Sequence, residues 1–196
     1  MKNYIKDQIK KSYETKQAIY ENDALIGKIE DVARRCVALY KTDKKTILAG
    51  NGGSAADAQH IAAELVGRYG FDRPSIPSLA LTTDTSNLTA IGNDYGYDQV
   101  FSRQLSGMGQ KGDIFFGIST SGNSLNIIKA FEVAREKGIT TVALVGRDGG
   151  KMGEMADVAL IVPSDSTPRI QESHILIGHI LCDIIEKEIF STGVGA

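Results

Sequence analysis

The chain has 196 residues, of which 42% are hydrophobic and 23% are charged, and its formal net charge is −2. This composition is typical of one soluble, folded domain and excludes a disordered or collagen-like chain. The charge provides no basic footprint for nucleic acid, and no apolar run approaches the roughly 18 residues of a membrane span. We therefore expect a cytoplasmic globular protein that binds neither nucleic acid nor membrane.

The first 41 residues predict two helices that are separated near Asn22 and Asp23. The first of these helices carries an apolar stripe at helical spacing, made of Ile5, Ile9, Tyr13 and Ile19. A single small domain has too little surface to cover such helices fully. We expect them to be used in oligomerisation.

From residue 42 onward, strand-like and helical segments alternate. The strand-like runs are 46–50, 78–82, 113–118, 140–145 and 157–162. The helical runs are about 54–68, 86–92, 124–137 and 169–190, with a short turn-rich one near 151–155. This alternation, with strands apolar on both faces, predicts an α/β fold in which helices flank a five-stranded parallel sheet. The single domain, 1–196, then has a helical segment (1–41), an α/β core (42–190) and a tail (191–196).

The last predicted helix, 169–190, is apolar over most of its circumference. A helix that is buried this widely in a small chain is expected to pack against another subunit. Four polar residues stand out in these apolar surroundings: Gln171, Glu172, His174 and His179. Spacing alone does not choose between the two histidines.

A glycine-rich turn follows the first predicted strand. It contains Asn51, Gly52, Gly53 and Ser54, and Ser54 has the position of a helix N-cap. The glycines let the backbone take positive φ and approach a ligand, so that N–H groups point at phosphate or carboxylate oxygens. The turn is neither a Walker loop nor a dinucleotide fingerprint, because its glycine spacing differs and no Gly-Lys-Ser/Thr follows. Taken alone, it is equally consistent with an ordinary strand-to-helix connection.

A second turn, rich in hydroxyl groups, follows the predicted strand at 113–118. Its hydroxyl groups belong to Ser119, Thr120, Ser121 and Ser124. Neutral hydroxyl donors beside backbone N–H groups suit a phosphomonoester that is bound without a P-loop lysine. Serine and threonine are also common in purely structural turns. Two such turns after core strands indicate one phosphate site.

The helix after the glycine-rich turn carries a narrow polar stripe. Its members recur at spacings of three and four residues and are Asp57, His60, Glu64 and Arg68. One interpretation is a solvated face with ion pairs along the helix. The other is functional, because a histidine and a glutamate one turn apart can both reach a small substrate or share a metal ion.

Four motifs, in chain order, resemble the phosphoheptose isomerases of the sugar isomerase (SIS) domain family. They lie at 49–64, 91–97, 117–124 and 169–174, with His179 after the last, and they span essentially the whole chain. The resemblance implies one SIS domain, a flavodoxin-like three-layer sandwich that assembles as a cytoplasmic homotetramer. It also implies conversion of D-sedoheptulose 7-phosphate into D-glycero-D-manno-heptose 7-phosphate, the first step towards ADP-heptose and the heptose of the lipopolysaccharide core.

The resemblance also implies a role for each motif residue. The phosphate would be held by Ser119, Thr120, Ser121 and Ser124. The sugar end would be lined by Asn51, Gly52, Gly53, Asn93 and Asp94, together with Glu64 and Gln171. One zinc ion per subunit would be bound by His60, Glu64, Gln171 and His179. Glu64 and His179 would be the acid–base pair.

Moving a carbonyl between C1 and C2 of a sugar requires a base for a carbon-bound proton and an acid for the enediolate oxygen. A zinc ion could polarise the carbonyl, but a carboxylate bound to zinc is a weaker base. The two implied roles of Glu64 therefore compete. The sequence leaves open whether zinc is catalytic or structural.

Two alternative functions remain at this point. Some SIS proteins of this size are tetrameric adaptors that bind a bacterial replication initiator protein. An adaptor would have no chemical use for Glu64 and His179 in one pocket, so their presence favours an enzyme. The second alternative is an isomerase of another sugar phosphate, because only the resemblance indicates seven carbons.

Overall fold

Five parallel strands form the central sheet of the computed structural model, which describes residues 1–190. The strands are β1 (Thr46–Gly50), β2 (Ser78–Ala80), β3 (Ile114–Ser119), β4 (Thr140–Gly146) and β5 (Val158–Val162). Their spatial order is β2-β1-β3-β4-β5, which is the flavodoxin-like order. The predicted α/β sheet is therefore confirmed, and the predicted tail, 191–196, lies outside the described residues.

Helices connect the strands and precede the sheet. They are α1 (Lys2–Tyr20), α2 (Asp23–Tyr40), α3 (Gly53–Val66), α4 (Thr85–Tyr95), α5 (Val100–Met108), α6 (Leu125–Lys137), α7 (Gly150–Met155) and α8 (Thr167–Phe190). A single turn of 3-10 helix, Tyr97–Gln99, joins α4 to α5. Helix α5 was not predicted from the sequence, although its apolar residues Val100, Phe101 and Leu105 are buried together in one core.

The helices cover both faces of the sheet and complete a three-layer sandwich. Leu48, Phe116 and Leu144 belong to one buried cluster with residues of α2, α3 and α8. Their strand neighbours Ile47 and Phe115 point the other way and pack with residues of α5, α6 and α7. Alternate residues of each strand thus serve two cores, which explains why the strands read as apolar on both faces.

Exposed apolar surface is concentrated on α1. Of its predicted stripe, Ile19 is buried, whereas Ile5, Ile9 and Tyr13 are exposed. Helix α8 is different, because α2 and α3 pack against it and bury one side of it, including Ile177, Leu181 and Ile185, whereas Leu176 is only half-buried and Ile180 is exposed. Packing within the chain covers only part of the apolar surface of α8, and contact of the remainder with another subunit stays a prediction. Across residues 1–190, none of the helices has the combined length and apolarity that crossing a membrane would require.

Candidate active site

The two predicted turns lie side by side at the carboxyl edge of the sheet. The glycine-rich turn follows β1 and the hydroxyl-rich turn follows β3, and these two strands pair directly. The chain leaves β1 towards β2 on one side, while β3 lies on the other side. Strand order reverses at this point, and open α/β sheets bind ligands in the crevice that such a reversal creates.

The glycine-rich turn starts α3 through its backbone alone. Gly52 is the N-cap, with φ of +55°, and the described residues include no side chain that caps this helix start. The prediction of Ser54 as the N-cap is therefore wrong. Ser54 lies inside the helix, buried, and its N–H donates to the Asn51 carbonyl at 3.0 Å. The N–H groups of Ala55 and Ala56 also donate within the turn, to the Gly52 carbonyl at 3.0 and 3.2 Å.

The hydroxyl-rich turn is held by hydrogen bonds of its own and by a neighbouring loop. The hydroxyl oxygens of Ser119 and Ser124 lie 2.8 Å apart, and the Asn123 N–H donates to Ser121 Oγ at 3.2 Å. Gly122 has φ of +65°, and a side chain there would collide with the carbonyl of Gly149. The sequence analysis did not predict this support by the loop after β4.

An amide pair joins the two turns. Asn51 Nδ2 donates to Asn126 Oδ1 at 3.0 Å, and Asn126 Nδ2 donates back to Asn51 Oδ1 at 2.9 Å. The Tyr97 hydroxyl also donates to Asn51 Oδ1, at 3.1 Å. Asn126 is buried on α6, and neither it nor Tyr97 was singled out from the sequence. The side chain of Asn51 therefore fixes one turn against the other.

Three potential metal ligands converge between α3 and α8. His60 Nε2 lies 3.1 Å from Glu64 Oε1 and 3.0 Å from His179 Nε2. The ligand atoms of all three residues lie within 4.8 Å of one another. The side chains of His60 and Glu64 are 51% and 25% exposed, so a ligand can reach them. The fold thus selects His179 for the site, a choice that spacing left open.

The donor set suits a divalent metal ion. His60 Nε2 carries at most one proton in the neutral ring, so it cannot donate both to Glu64 and to His179. Three atoms with lone pairs repel one another at this separation, and a bound cation would offset that repulsion. Two imidazole nitrogens and one carboxylate oxygen, with a further position open, are typical of catalytic zinc sites. The cluster can therefore hold a metal ion.

Gln171 lies on α8, about two turns before His179, and the Asn93/Asp94 pair lies on α4. The Gln171 amide lies over the start of α3, because a Cβ atom at Gly53 would be 2.6 Å from Gln171 Nε2. Asn93 and Asp94 are exposed in the last turn of α4, beyond the predicted helix end, and Asn93 Nδ2 donates to Asp94 Oδ1 at 2.8 Å. Their contact with a substrate stays a prediction.

The polar stripe of α3 is shorter than predicted. The helix ends at Val66, so Arg68 lies beyond it and does not continue the stripe. Asp57 is half-buried, and its Oδ2 has no hydrogen-bond partner within the part of the chain described. Burial raises the pKa of Asp57 to about 6, and the charge of His60 acts in the opposite direction. Because His60 and Glu64 turn towards α8, the stripe is not a simple solvated face.

His174 is a buried core residue. Its ring is fully buried in α8, and neither ring nitrogen has a hydrogen-bond partner among residues 1–190. Burial lowers the pKa of His174 to about 4, against a smaller opposing effect of the Val145 backbone. The ring is therefore neutral in the folded protein at neutral pH.

This burial predicts a loss of stability in mild acid. As the pH falls below about 6.5, the unfolded chain protonates His174 while the folded chain resists until about pH 4. The free energy of unfolding should fall across that window by up to about 3 kcal/mol. Urea unfolding at pH 7 and pH 4.5, at one protein concentration, measures the difference. His174→Gln should lose less stability between the two pH values than the wild type, and equal losses would contradict the assignment.

Comparison with known proteins places these features in a family. The SIS domain family model matches residues 9–146. The phosphoheptose isomerase of Sulfurimonas denitrificans is 84% identical over 194 residues, which cover 99% of this chain and 100% of that protein. The phosphoheptose isomerase of Aneurinibacillus thermoaerophilus is 60% identical over 190 residues, with 97% and 96% covered.

A solved structure agrees with the sequence relatives. The phosphoheptose isomerase of Neisseria gonorrhoeae superposes with a TM-score of 0.89 at 45% identity, over 95% of this chain and 98% of that one. Sequence identities of 45% to 84% show membership of a family and not only a shared fold. The chain belongs to the SIS domain family and, within it, to the phosphoheptose isomerases.

Proposed function

We propose that this chain isomerises D-sedoheptulose 7-phosphate to D-glycero-D-manno-heptose 7-phosphate, as an aldose–ketose isomerase. One observation carries the proposal: a carboxylate, Glu64, and an imidazole, His179, converge on His60 in a chain of this family. A base and an acid that face one small volume are the groups that enolisation needs. A purely structural adaptor would have no use for this convergence.

The proposed reaction moves two protons. Glu64 takes a proton from C1 of the ketose, and His179 gives a proton to the carbonyl oxygen on C2, which forms the enediol. Glu64 then returns its proton to C2, and His179 takes the proton from the oxygen on C1, which becomes the aldehyde. Both groups end in their starting protonation state, so one pair serves both directions of the reaction.

A zinc ion would be bound by His60, Glu64 and His179, and we propose Gln171 as its fourth ligand. When bound, zinc would polarise the carbonyl and stabilise negative charge on its oxygen. A carboxylate that binds zinc is a weaker base, and an imidazole nitrogen that binds zinc carries no proton, so the ligand roles of Glu64 and His179 compete with their acid–base roles. The isotope-exchange experiment in the Discussion separates the role of Glu64 as a base from its role as a ligand.

The hydroxyl-rich turn is our candidate for the phosphate subsite. Ser119→Ala and Ser121→Ala should each weaken binding of substrate and of inorganic phosphate by about 1–3 kcal/mol, because each removes a hydrogen bond to a charged oxygen. Isothermal titration with phosphate and steady-state kinetics measure the change, and Ser106→Ala on α5 is a matched exposed control. Unchanged affinity in both variants would reassign the turn to a structural role.

We also propose that the enzyme is a homotetramer of the cytoplasm. The exposed apolar face of α1 supports assembly, and the half-exposed His60 supports completion of each site by a second subunit, which would exclude water. Light scattering should give four times the 21.1 kDa of one chain. A well-folded, active monomer would contradict this.

We also propose that the product enters the biosynthesis of ADP-heptose and of the lipopolysaccharide core. We propose no nucleic-acid or membrane partner.

A coupled assay with a panel of C5 to C7 ketose phosphates tests the proposed function. We expect the seven-carbon ketose phosphate to give the highest kcat/KM. A preference for a pentose or hexose phosphate would support the alternative isomerase. If every substrate were inert with metal-loaded protein, the adaptor that binds a replication initiator would become the better interpretation.

A further inference from the structure

A buried carboxylate accepts hydrogen bonds from the loop that follows α3. Glu186 on α8 is 1% exposed, and it accepts hydrogen bonds from three successive backbone N–H groups and from one arginine. The N–H of Tyr69 donates at 2.8 Å, that of Gly70 at 2.6 Å and that of Phe71 at 3.2 Å. Arg73 Nε donates to the same carboxylate at 2.9 Å.

The other side of the Arg73 guanidinium holds the end of α3. Its Nη2 donates to the carbonyl of Glu64 at 2.8 Å, and its Nη1 donates to the carbonyl of Leu65 at 2.6 Å. These carbonyls belong to the last turn of the helix, where backbone acceptors lack partners within the helix. A cation is also favoured at a helix C-terminus. Arg73 therefore caps the helix that carries the proposed base.

The pair remains ionised although it is buried. Burial raises the pKa of the Glu186 carboxyl, but the three N–H groups and Arg73 more than offset this and hold the pKa below its ordinary value. A buried ion pair often stabilises a fold no more than well-packed apolar residues of similar volume would. Stability is therefore a weak explanation for this arrangement, whereas its directional hydrogen bonds specify the positions of two helices.

The ion pair of Arg73 and Glu186, which we call the clamp, connects the two proposed catalytic groups. Glu186 lies seven residues after His179, which is about two helical turns and hence the same face of α8. Arg73 reaches from there to the backbone of Glu64, and the ring centroid of Tyr69 lies 5.7 Å from that of His179. We propose that Arg73 and Glu186 are positioning residues that set the separation of Glu64 and His179 for proton transfer. The inference deepens the proposed function and rests on it.

Glu186→Gln and Arg73→Lys test the clamp. Glu186→Gln keeps the size but loses the charge, and Arg73→Lys keeps the charge but cannot hold both helices at once. A displacement of about 1 Å can cost up to roughly 100-fold in rate, so we expect kcat to fall by about 10- to 100-fold. KM and inhibition by inorganic phosphate should stay within about threefold, because the proposed phosphate subsite, the hydroxyl-rich turn, lies between β3 and α6 and contacts neither Arg73 nor Glu186.

A second buried ion pair provides the matched control. Asp113 is fully buried and accepts from Lys45 Nζ at 2.8 Å and from the N–H groups of Lys45 and Gln110 at 3.1 and 2.9 Å. It precedes β3, at the opposite edge of the sheet from the site. Asp113→Asn should lower the melting temperature as Glu186→Gln does, with kcat unchanged per folded molecule. Equal effects of the two substitutions on kcat would overturn the proposal.

A spectroscopic measurement keeps the proposal separate from the activity itself. The chain has three histidines, so their ring resonances can be assigned by NMR with three single variants. Glu186→Gln and Arg73→Lys should shift the resonances of His60 and His179, and Asp113→Asn should leave them in place. If the wild type were inert on sugar phosphates, the proposed function would fail and these shifts would still decide the positioning role. Unchanged resonances in the folded variant, or in Arg73→Lys alone if Glu186→Gln does not fold, would overturn it.

Discussion

Glu64→Gln should reduce kcat for sedoheptulose 7-phosphate by about 10²- to 10⁴-fold, the largest effect we expect from a single conservative substitution. Glutamine retains the size and a hydrogen-bonding oxygen but cannot accept the proton from carbon. Binding of inorganic phosphate should survive, because the hydroxyl-rich turn is untouched. Glu136→Gln, the same change at an exposed position of α6, is the control and should leave kcat unaltered.

Exchange of the transferable carbon-bound hydrogen with deuterium oxide, followed by NMR, tests the base directly. The wild type should exchange, and Glu64→Gln should not, even where net isomerisation is too slow to measure. Elemental analysis of both proteins shows whether the substitution also removed a bound metal. If Glu64→Gln retained its metal and near-wild-type exchange at saturating substrate, another base, such as Asp57, Asp94 or a metal-bound hydroxide, would have to replace it.

His179→Asn should lower net isomerisation by about 10²- to 10³-fold through loss of the acid. The expected signature differs from that of Glu64→Gln, because Glu64 can still take the proton from carbon. Exchange with deuterium oxide should therefore persist at a rate above that of isomerisation. The two variants together separate removal of the carbon proton from protonation of the oxygen.

The control for His179→Asn lies on the same helix. His174→Gln should leave both isomerisation and exchange close to wild type at pH 7, since the His174 ring is buried and neutral there. Equal loss of exchange and isomerisation in His179→Asn, with the metal also lost, would mean that His179 acts mainly as a ligand. The acid would then have to be sought among the other groups of the site.

Much of the architecture could be predicted from the sequence because it depends on local patterns. Runs that are apolar on both faces mark strands of a parallel sheet, and each predicted strand agrees with the structure to within about two residues at its ends. The glycine-rich and hydroxyl-rich turns were also found, because each directly follows such a run. The helical spacing of the polar stripe placed His60 and Glu64 on one helix, where a separation of four residues makes them neighbours.

Residue preferences were less reliable where the conformation of the backbone determines how a helix begins. Ser54 has the residue type of an N-cap, yet Gly52 takes that position because the turn requires positive φ. Helix α5 was also missed, although its apolar residues Val100, Phe101 and Leu105 meet one core. For Ser54, the capping preference of the residue was overruled by the path of the chain between β1 and α3.

The sequence by itself determined the strands, the order of the motifs and the types of group that the site would contain. Residue spacing did not choose between His179 and His174; the family resemblance indicated His179, and the tertiary structure gives the reason, because the choice depends on which face of α8 meets α3. Only the tertiary structure joined Asn51 to Asn126, and Glu186 to Arg73, across 75 and 113 residues of chain. Contacts of that range are created when the sheet brings β1 and β3 together and α8 packs back over α3, and no local pattern encodes them.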